Sequence, residues 1–170
     1  MSQATVEIIM TNDKPDIFRY LFESSDVTEK CIFCKIADGR IKPGGRKNPK
    51  ELLYSDEHYV AFDDMSPGAI CHTLVIPKKH IKNCWSLTPR MMDDMEEIGN
   101  KILKERNPEN KPSVMFFIRP PLNTVFHVHL HVMVLPFTDS YFNPRRLGFQ
   151  FSLFHVTPTE LKKYFKENGK

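Results

Sequence analysis

The chain has 170 residues, 41% hydrophobic and 26% charged, with a net charge of +3. This is enough for one domain with a real core, in an ordinary globular composition. The charge is too small to argue for nucleic acid by itself. No apolar run reaches membrane-span length, and Met1 to Glu7 lacks the basic and apolar regions of a signal peptide. The expected location is the cytoplasm, the nucleus or both. There Cys31, Cys34, Cys71 and Cys84 are expected to be reduced or metal-bound rather than a disulfide frame.

Residues 1–28 are polar apart from Ile17 to Phe22 and read as an N-terminal extension. Within it, Asp13 to Glu23 fits a short amphipathic helix with Pro15 near its start. Glu29 to Asp38 predicts a helix closed by Gly39, with Ile32, Phe33 and Ile36 as its apolar stripe. Lys42 to Pro49 is a loop. Glu51 to Ser55 and His58 to Phe62 predict two strands around an Asp56-Glu57 turn, and His72 to Ile76 a third, ended by Pro77.

Thr88 and Pro89 then open a long helix, as N-cap and first helical residue. Met92, Met95, Ile98 and Ile102 line one of its faces, and Asn107-Pro108 stops it. Val114 to Ile118 is a fourth strand. Val125 to Pro136, with His127, His129 and His131 at alternate positions, is a fifth. Thr157-Pro158-Thr159-Glu160 is a capping box before a last short helix. The fold class is α+β: a mainly antiparallel sheet of about five strands with a long helix and short helices on one face. Residues 29–137 form the domain, and 138–170 a tail whose helix packs on it.

Alternate strand residues share a face, so the three histidines project together while Val128, Leu130 and Val132 pack the other way. One reading is a polar strand face that happens to hold histidine. A second is a metal site, but His127 and His131 would stand roughly 13 Å apart along a straight strand. A third is nucleophilic catalysis: a neutral imidazole attacks phosphorus, and neighbouring imidazoles orient it and carry protons.

His127-Val128-His129-Leu130-His131-Val132-Met133 resembles the signature of the histidine triad family, in its Hint branch. Cys71 to Ile81 resembles the family's second signature, Phe62 to Pro67 its ribose-binding turn, and Cys31 to Ile36 its opening segment. The resemblance implies the histidine triad fold. It implies that His129 is the nucleophile that attacks the α-phosphorus of a nucleotide and becomes adenylylated, and that water then releases AMP. It places His131 near the leaving group and phosphate oxygens, and His127 and His72 behind the nucleophile. Asp64 would accept from ribose hydroxyls. Ile32, Phe33, Ile36, Phe62 and Leu74 would form the base slot, and Thr124 would donate to phosphate. Local chemistry alone also allows Asp64 to be a turn cap, His72 a core histidine and the apolar set plain core.

Ile118 to Thr124 departs from the family's glycine-rich loop, because Pro120 and Pro121 have no N–H to offer phosphate. Arg119 and Asn123 are the candidate replacement donors. For Cys31 and Cys34, two readings stand. Either both thiols pack inside, or they join His72 and His127 around zinc in a Cys2His2 set, as the resemblance allows. No cofactor is expected to be required, with zinc as the alternative. Cys71 and Cys84 are expected to be small buried hydrophobes.

The function the resemblance implies is hydrolysis of the P–N bond of adenosine 5'-phosphoramidates. Its rivals are dinucleoside polyphosphate or DNA-adenylate hydrolysis, and a low-turnover nucleotide-binding module. The expected ligand is a purine nucleotide of AMP type, and the expected assembly a homodimer. Neither a membrane nor nucleic acid is an expected partner.

Overall fold

Residues 25–44, 50–120, 122–138 and 152–169 are described by the computed structural model. The expected helix at Asp13 to Glu23 lies outside them. The elements are α1 (Ser25–Lys30), α2 (Ile32–Ala37), β1 (Tyr54–Ser55), β2 (Tyr59–Asp63), β3 (Ala69–Pro77), α3 (Pro89–Arg106), β4 (Ser113–Ile118), β5 (Leu130–Phe137), β6 (His155–Val156) and α4 (Pro158–Glu167). All pairings are antiparallel, in the order β1-β2-β3-β5-β4-β6.

Period-two alternation gives the sheet two buried faces. Ala61, Val75, Leu130, Val132, Phe117 and Val156 point to one face, where they meet Met92, Met95, Ile98 and Ile102 of α3 and Leu161 and Phe165 of α4. The apolar stripe of α3 is thus used by the chain's own core. Val60, Phe62, Leu74 and Ile76 point to the other face, where Phe33 and Ile36 of α2 cover them. Helices therefore lie on both faces rather than one. A sheet with two apolar faces must bury both.

Both long-range helices start where the sequence predicts. The Thr88 hydroxyl accepts from the Met91 amide, and Thr157 and Glu160 close a reciprocal capping box. Three local expectations need correction. The single helix Glu29–Asp38 is two helices, split at Cys31, whose backbone is extended (φ −72°, ψ 119°) and whose thiol turns inward. The strand expected at Glu51–Ser55 shortens to Tyr54–Ser55. The histidine strand begins only at Leu130. His127 to His129 run outside the ladder, anchored by the Val128 amide on the Ile81 carbonyl at 2.6 Å. The sixth strand, β6, joins the outer edge of β4 through Phe117 and Ile118.

Candidate active site

A cross-strand row organises the α2-side face. Phe62 pairs with Leu74, Leu74 with His131, and His131 with Phe116, spanning β2, β3, β5 and β4. Above it is a cavity of about 440 Å³. Ile32, Phe33, Ile36, Phe62 and Leu74, with Val125, give its walls their apolar character, and Asp64, Thr124, His129 and His131 supply its polar groups. Met65, Ile118 and Leu122 complete the lining. Asn123 does not line it. That side chain is buried, and its Nδ2 donates to the Val125 carbonyl at 3.2 Å.

Hydrogen bonds fix which ring nitrogen of each neutral histidine carries the proton. His129 Nδ1 lies 2.7 Å from the His127 carbonyl, an acceptor, so Nδ1 holds the proton and Nε2 keeps a lone pair. His127 Nε2 donates to the Pro77 carbonyl at 2.8 Å, so the lone pair of His127 is on Nδ1. The Gly68 amide donates to His72 Nδ1 at 3.0 Å. His72 must therefore donate through Nε2 to His131 Nδ1, 2.9 Å away. This leaves the proton of His131 on Nε2. Asp64 Oδ2 stands 3.6 Å from His72 Nε2, and Asp64 Oδ1 accepts from the Ser66 amide at 2.8 Å. Asp64 is at once a turn cap and a cavity-lining carboxylate.

Burial sets the charge state. His129 is 8% exposed, and its removal from water pushes its pKa below the ordinary imidazole value. His127, fully buried, falls to about 4 for the same reason. A buried ring that resists protonation is a neutral nucleophile at pH 7. His129 also packs edge-on against Phe33, at 5.2 Å between ring centroids, and against His131, at 4.8 Å.

Behind His127 sits a second cluster. Cys34 Sγ lies 3.4 Å from His127 Nδ1 and 3.2 Å from His80 Nδ1, and Cys31 Sγ lies 3.5 Å from His127 Nδ1. The four donor atoms lie within 4.8 Å of one another. Zinc bonds of 2.0–2.3 Å at tetrahedral angles separate sulfur from nitrogen by about 3.5 Å, so this set fits that ion. The fourth member is His80, where the alternative zinc set had His72. His72 is on the opposite side of the triad, committed to His131 and grouped with Asp64. Without a metal, burial and the neighbouring Cys31 push the Cys34 thiol up to about 12. Cys84 is buried as expected, and Cys71 is half-buried.

Comparison with known proteins settles the family. Residues 30–146 match the family profile described as "Scavenger mRNA decapping enzyme C-term binding". The chain is 42% identical over 123 residues to "Adenosine 5'-monophosphoramidase HINT3" of Danio rerio, covering 70% of this chain and 71% of that one. This chain belongs to the histidine triad family. It is also 36% identical to "Bifunctional adenosine 5'-phosphosulfate phosphorylase/adenylylsulfatase HINT4" of Arabidopsis thaliana, over 65% of this chain and 74% of that one. The solved structure of a histidine triad protein from Clostridium difficile superposes with a TM-score of 0.55 at 29% identity, over 67% of this chain and 94% of that one. The protein is thus a nucleotide hydrolase of the histidine triad type.

Within that family frame, the loop after β4 differs from its sequence reading. Arg119 does not turn to the cavity. Its Nε donates to the His155 carbonyl at 2.6 Å, and its guanidinium stands 5.7 Å from the centroid of Trp85. Met65, Ile118, Leu122, Val125 and His80 escaped the sequence reading. His80 had one available signal: it lies within Cys71 to Ile81, the stretch that resembles the family's second signature.

Proposed function

We propose that this histidine triad protein hydrolyses the P–N bond of adenosine 5'-phosphoramidates to AMP, through a nucleotidyl group carried on His129. The observation that carries the proposal is the 2.7 Å bond from His129 Nδ1 to the His127 carbonyl. It leaves Nε2 as a lone pair in a buried ring that lines the cavity. In the first step that lone pair bonds to the α-phosphorus and the P–N bond breaks, the amine taking a proton from water. In the second step the resulting hydroxide bonds to phosphorus and returns the electron pair to His129 Nε2. One water is consumed, and splitting the displacement lowers each barrier. The Nε2 proton of His131 stabilises charge on the phosphate oxygens. Asp64 accepts from the ribose diol, Thr124 donates to phosphate, and the apolar lining holds the purine. The name of the Danio rerio relative supports this substrate class.

The deciding experiment measures release of AMP from a fluorogenic AMP-amidate, with His129→Ala as control, and looks for the nucleotidyl adduct by mass spectrometry. Equal rates for both proteins, or an adduct on another residue, would reject the role of His129.

A second reading is supported by the loop after β4. With Arg119 and Asn123 turned from the cavity, Thr124 is the hydroxyl donor left to phosphate beside the histidines. That chemistry suits a low-turnover nucleotide-binding module. AMP binding by calorimetry with no measurable hydrolysis would select it.

The proposal extends to three further points. Cys31, Cys34, His80 and His127 hold a structural zinc, which ties α2 to the loop after β3 and to the triad; their donor spacing supports this. A homodimer is proposed on family membership alone, since the α3 stripe is occupied by the core. The cytoplasm or nucleus is the proposed location, because reduced thiols suit it.

A further inference from the structure

The tail strand β6 lies two strands away from β5, yet it reaches the triad through rings. His155 stacks on Phe116 with centroids 3.9 Å apart and planes 11° apart. Phe116 in turn stacks on His131 at 5.2 Å and 20°. The column His155–Phe116–His131 thus runs from the tail to the histidine whose Nε2 proton serves the cavity. Beside it is a second cavity of about 430 Å³, lined among the described residues by Val114, Met115, Phe137, Thr157 and Glu160 as well as by the two stacked rings. Phe116 and His155 form one wall of that cavity, and the His155 ring is the flat surface against which Phe116 is seated.

The tail is also fastened to the cavity loop through one residue. The Arg119 amide donates to the Phe154 carbonyl at 2.8 Å, and Arg119 Nε donates to the His155 carbonyl at 2.6 Å. The Arg119 carbonyl then accepts from the Leu122 amide at 3.0 Å, closing the turn that delivers Leu122 and Thr124 to the cavity.

We infer that the C-terminal segment is a working part of the catalytic site: His155 is a positioning residue for His131, acting through Phe116, and Arg119 is the clasp that sets the turn delivering Leu122 and Thr124. This rests on the proposed role of His131 in hydrolysis. A donor proton a fraction of an ångström out of place weakens transition-state contacts much more than ground-state binding. The His155 ring therefore acts on kcat. Arg119 positions cavity-lining residues and therefore acts on binding.

The test compares full-length wild type with His155→Ala, His155→Phe and Arg119→Gln. In AMP-amidate hydrolysis, His155→Ala is expected to lower kcat about 10-fold with KM within 2-fold of wild type. His155→Phe keeps a flat ring against Phe116 and is expected to restore kcat. Arg119→Gln is expected to weaken AMP binding about 5-fold in calorimetry. A readout free of turnover is the ring-proton shift of His131 by NMR, which should move in His155→Ala and return in His155→Phe. Wild-type kcat in His155→Ala with an unmoved His131 resonance would overturn the inference. So would a failure of His155→Phe to rescue at equal Tm. A wild type that does not hydrolyse the amidate rejects the functional reading instead, and the NMR shift then decides the positioning claim by itself.

Discussion

His72 donates through Nε2 to Nδ1 of His131, 2.9 Å away, and its own Nδ1 is held by the Gly68 amide. One backbone N–H just before β3 therefore dictates where the proton sits on a ring in β5. His72→Ala leaves His131 free to adopt the opposite tautomer, with no donor facing phosphate. The expected outcome is a loss of about 100-fold in kcat with KM little changed, the size of losing one preorganised donor. Steady-state kinetics on the AMP-amidate checks this, and wild-type kcat in the variant would refute the assignment.

Metal content separates His80 from His72. Purified protein is expected to carry about one zinc per chain, reduced to background by Cys34→Ser or His80→Ala and retained by His72→Ala. Elemental analysis of the three variants checks it. Loss of zinc in His72→Ala with retention in His80→Ala would restore the alternative ligand set that the resemblance allows and reject the grouping with His80.

Buried imidazoles make the metal-free protein acid-sensitive. The pKa of His127 is depressed by burial from 6.5 to about 4, and those of His80 and His129 are depressed in the same direction. Below pH 6.5 the unfolded chain takes up protons that the folded chain refuses. Stability is therefore greatest above 6.5 and falls as pH drops. His127 alone contributes a slope of about 1.4 kcal/mol per pH unit, or about 3 kcal/mol by pH 4. Urea titrations of chelator-treated protein between pH 6.5 and 5, where most carboxylates are silent, measure it. A flat profile there would show that His127 takes up its proton in the folded state.

At Gly99, α3 packs tightly against the sheet. A Cβ there would stand 2.6 Å from Met115 Sδ and 3.2 Å from Val132 Cγ2. Gly99→Ala gains about 1 kcal/mol of helix propensity, while overpacking costs about 1–3 kcal/mol. Met115 can swing aside, but the branched Val132 in β5 cannot. A net loss of about 1 kcal/mol is expected in denaturant unfolding, and a gain in stability would show that α3 can slide.

Much of the architecture is written in local pattern. Thr88-Pro89 and Thr157 to Glu160 mark their helix starts because capping needs only residues within one turn. Val128, Leu130 and Val132 enter the core as alternation requires. Much of the cavity lining was legible through the family resemblance, while Met65, Ile118, Leu122 and Val125 were not, and Arg119 and Asn123 turn elsewhere.

Residue order alone states which groups can do chemistry: alternating imidazoles, a carboxylate in a turn, a pair of thiols three positions apart. Their partners come from the folded topology. Cys34 meets His127 across 93 positions and His80 across 46, and His155 reaches His131 through a ring on a third strand. Local periodicity constrains the direction in which a side chain leaves its own backbone. What it meets there is fixed by strand order and by how far each loop carries the chain. Those depend on burying both faces of the sheet at once.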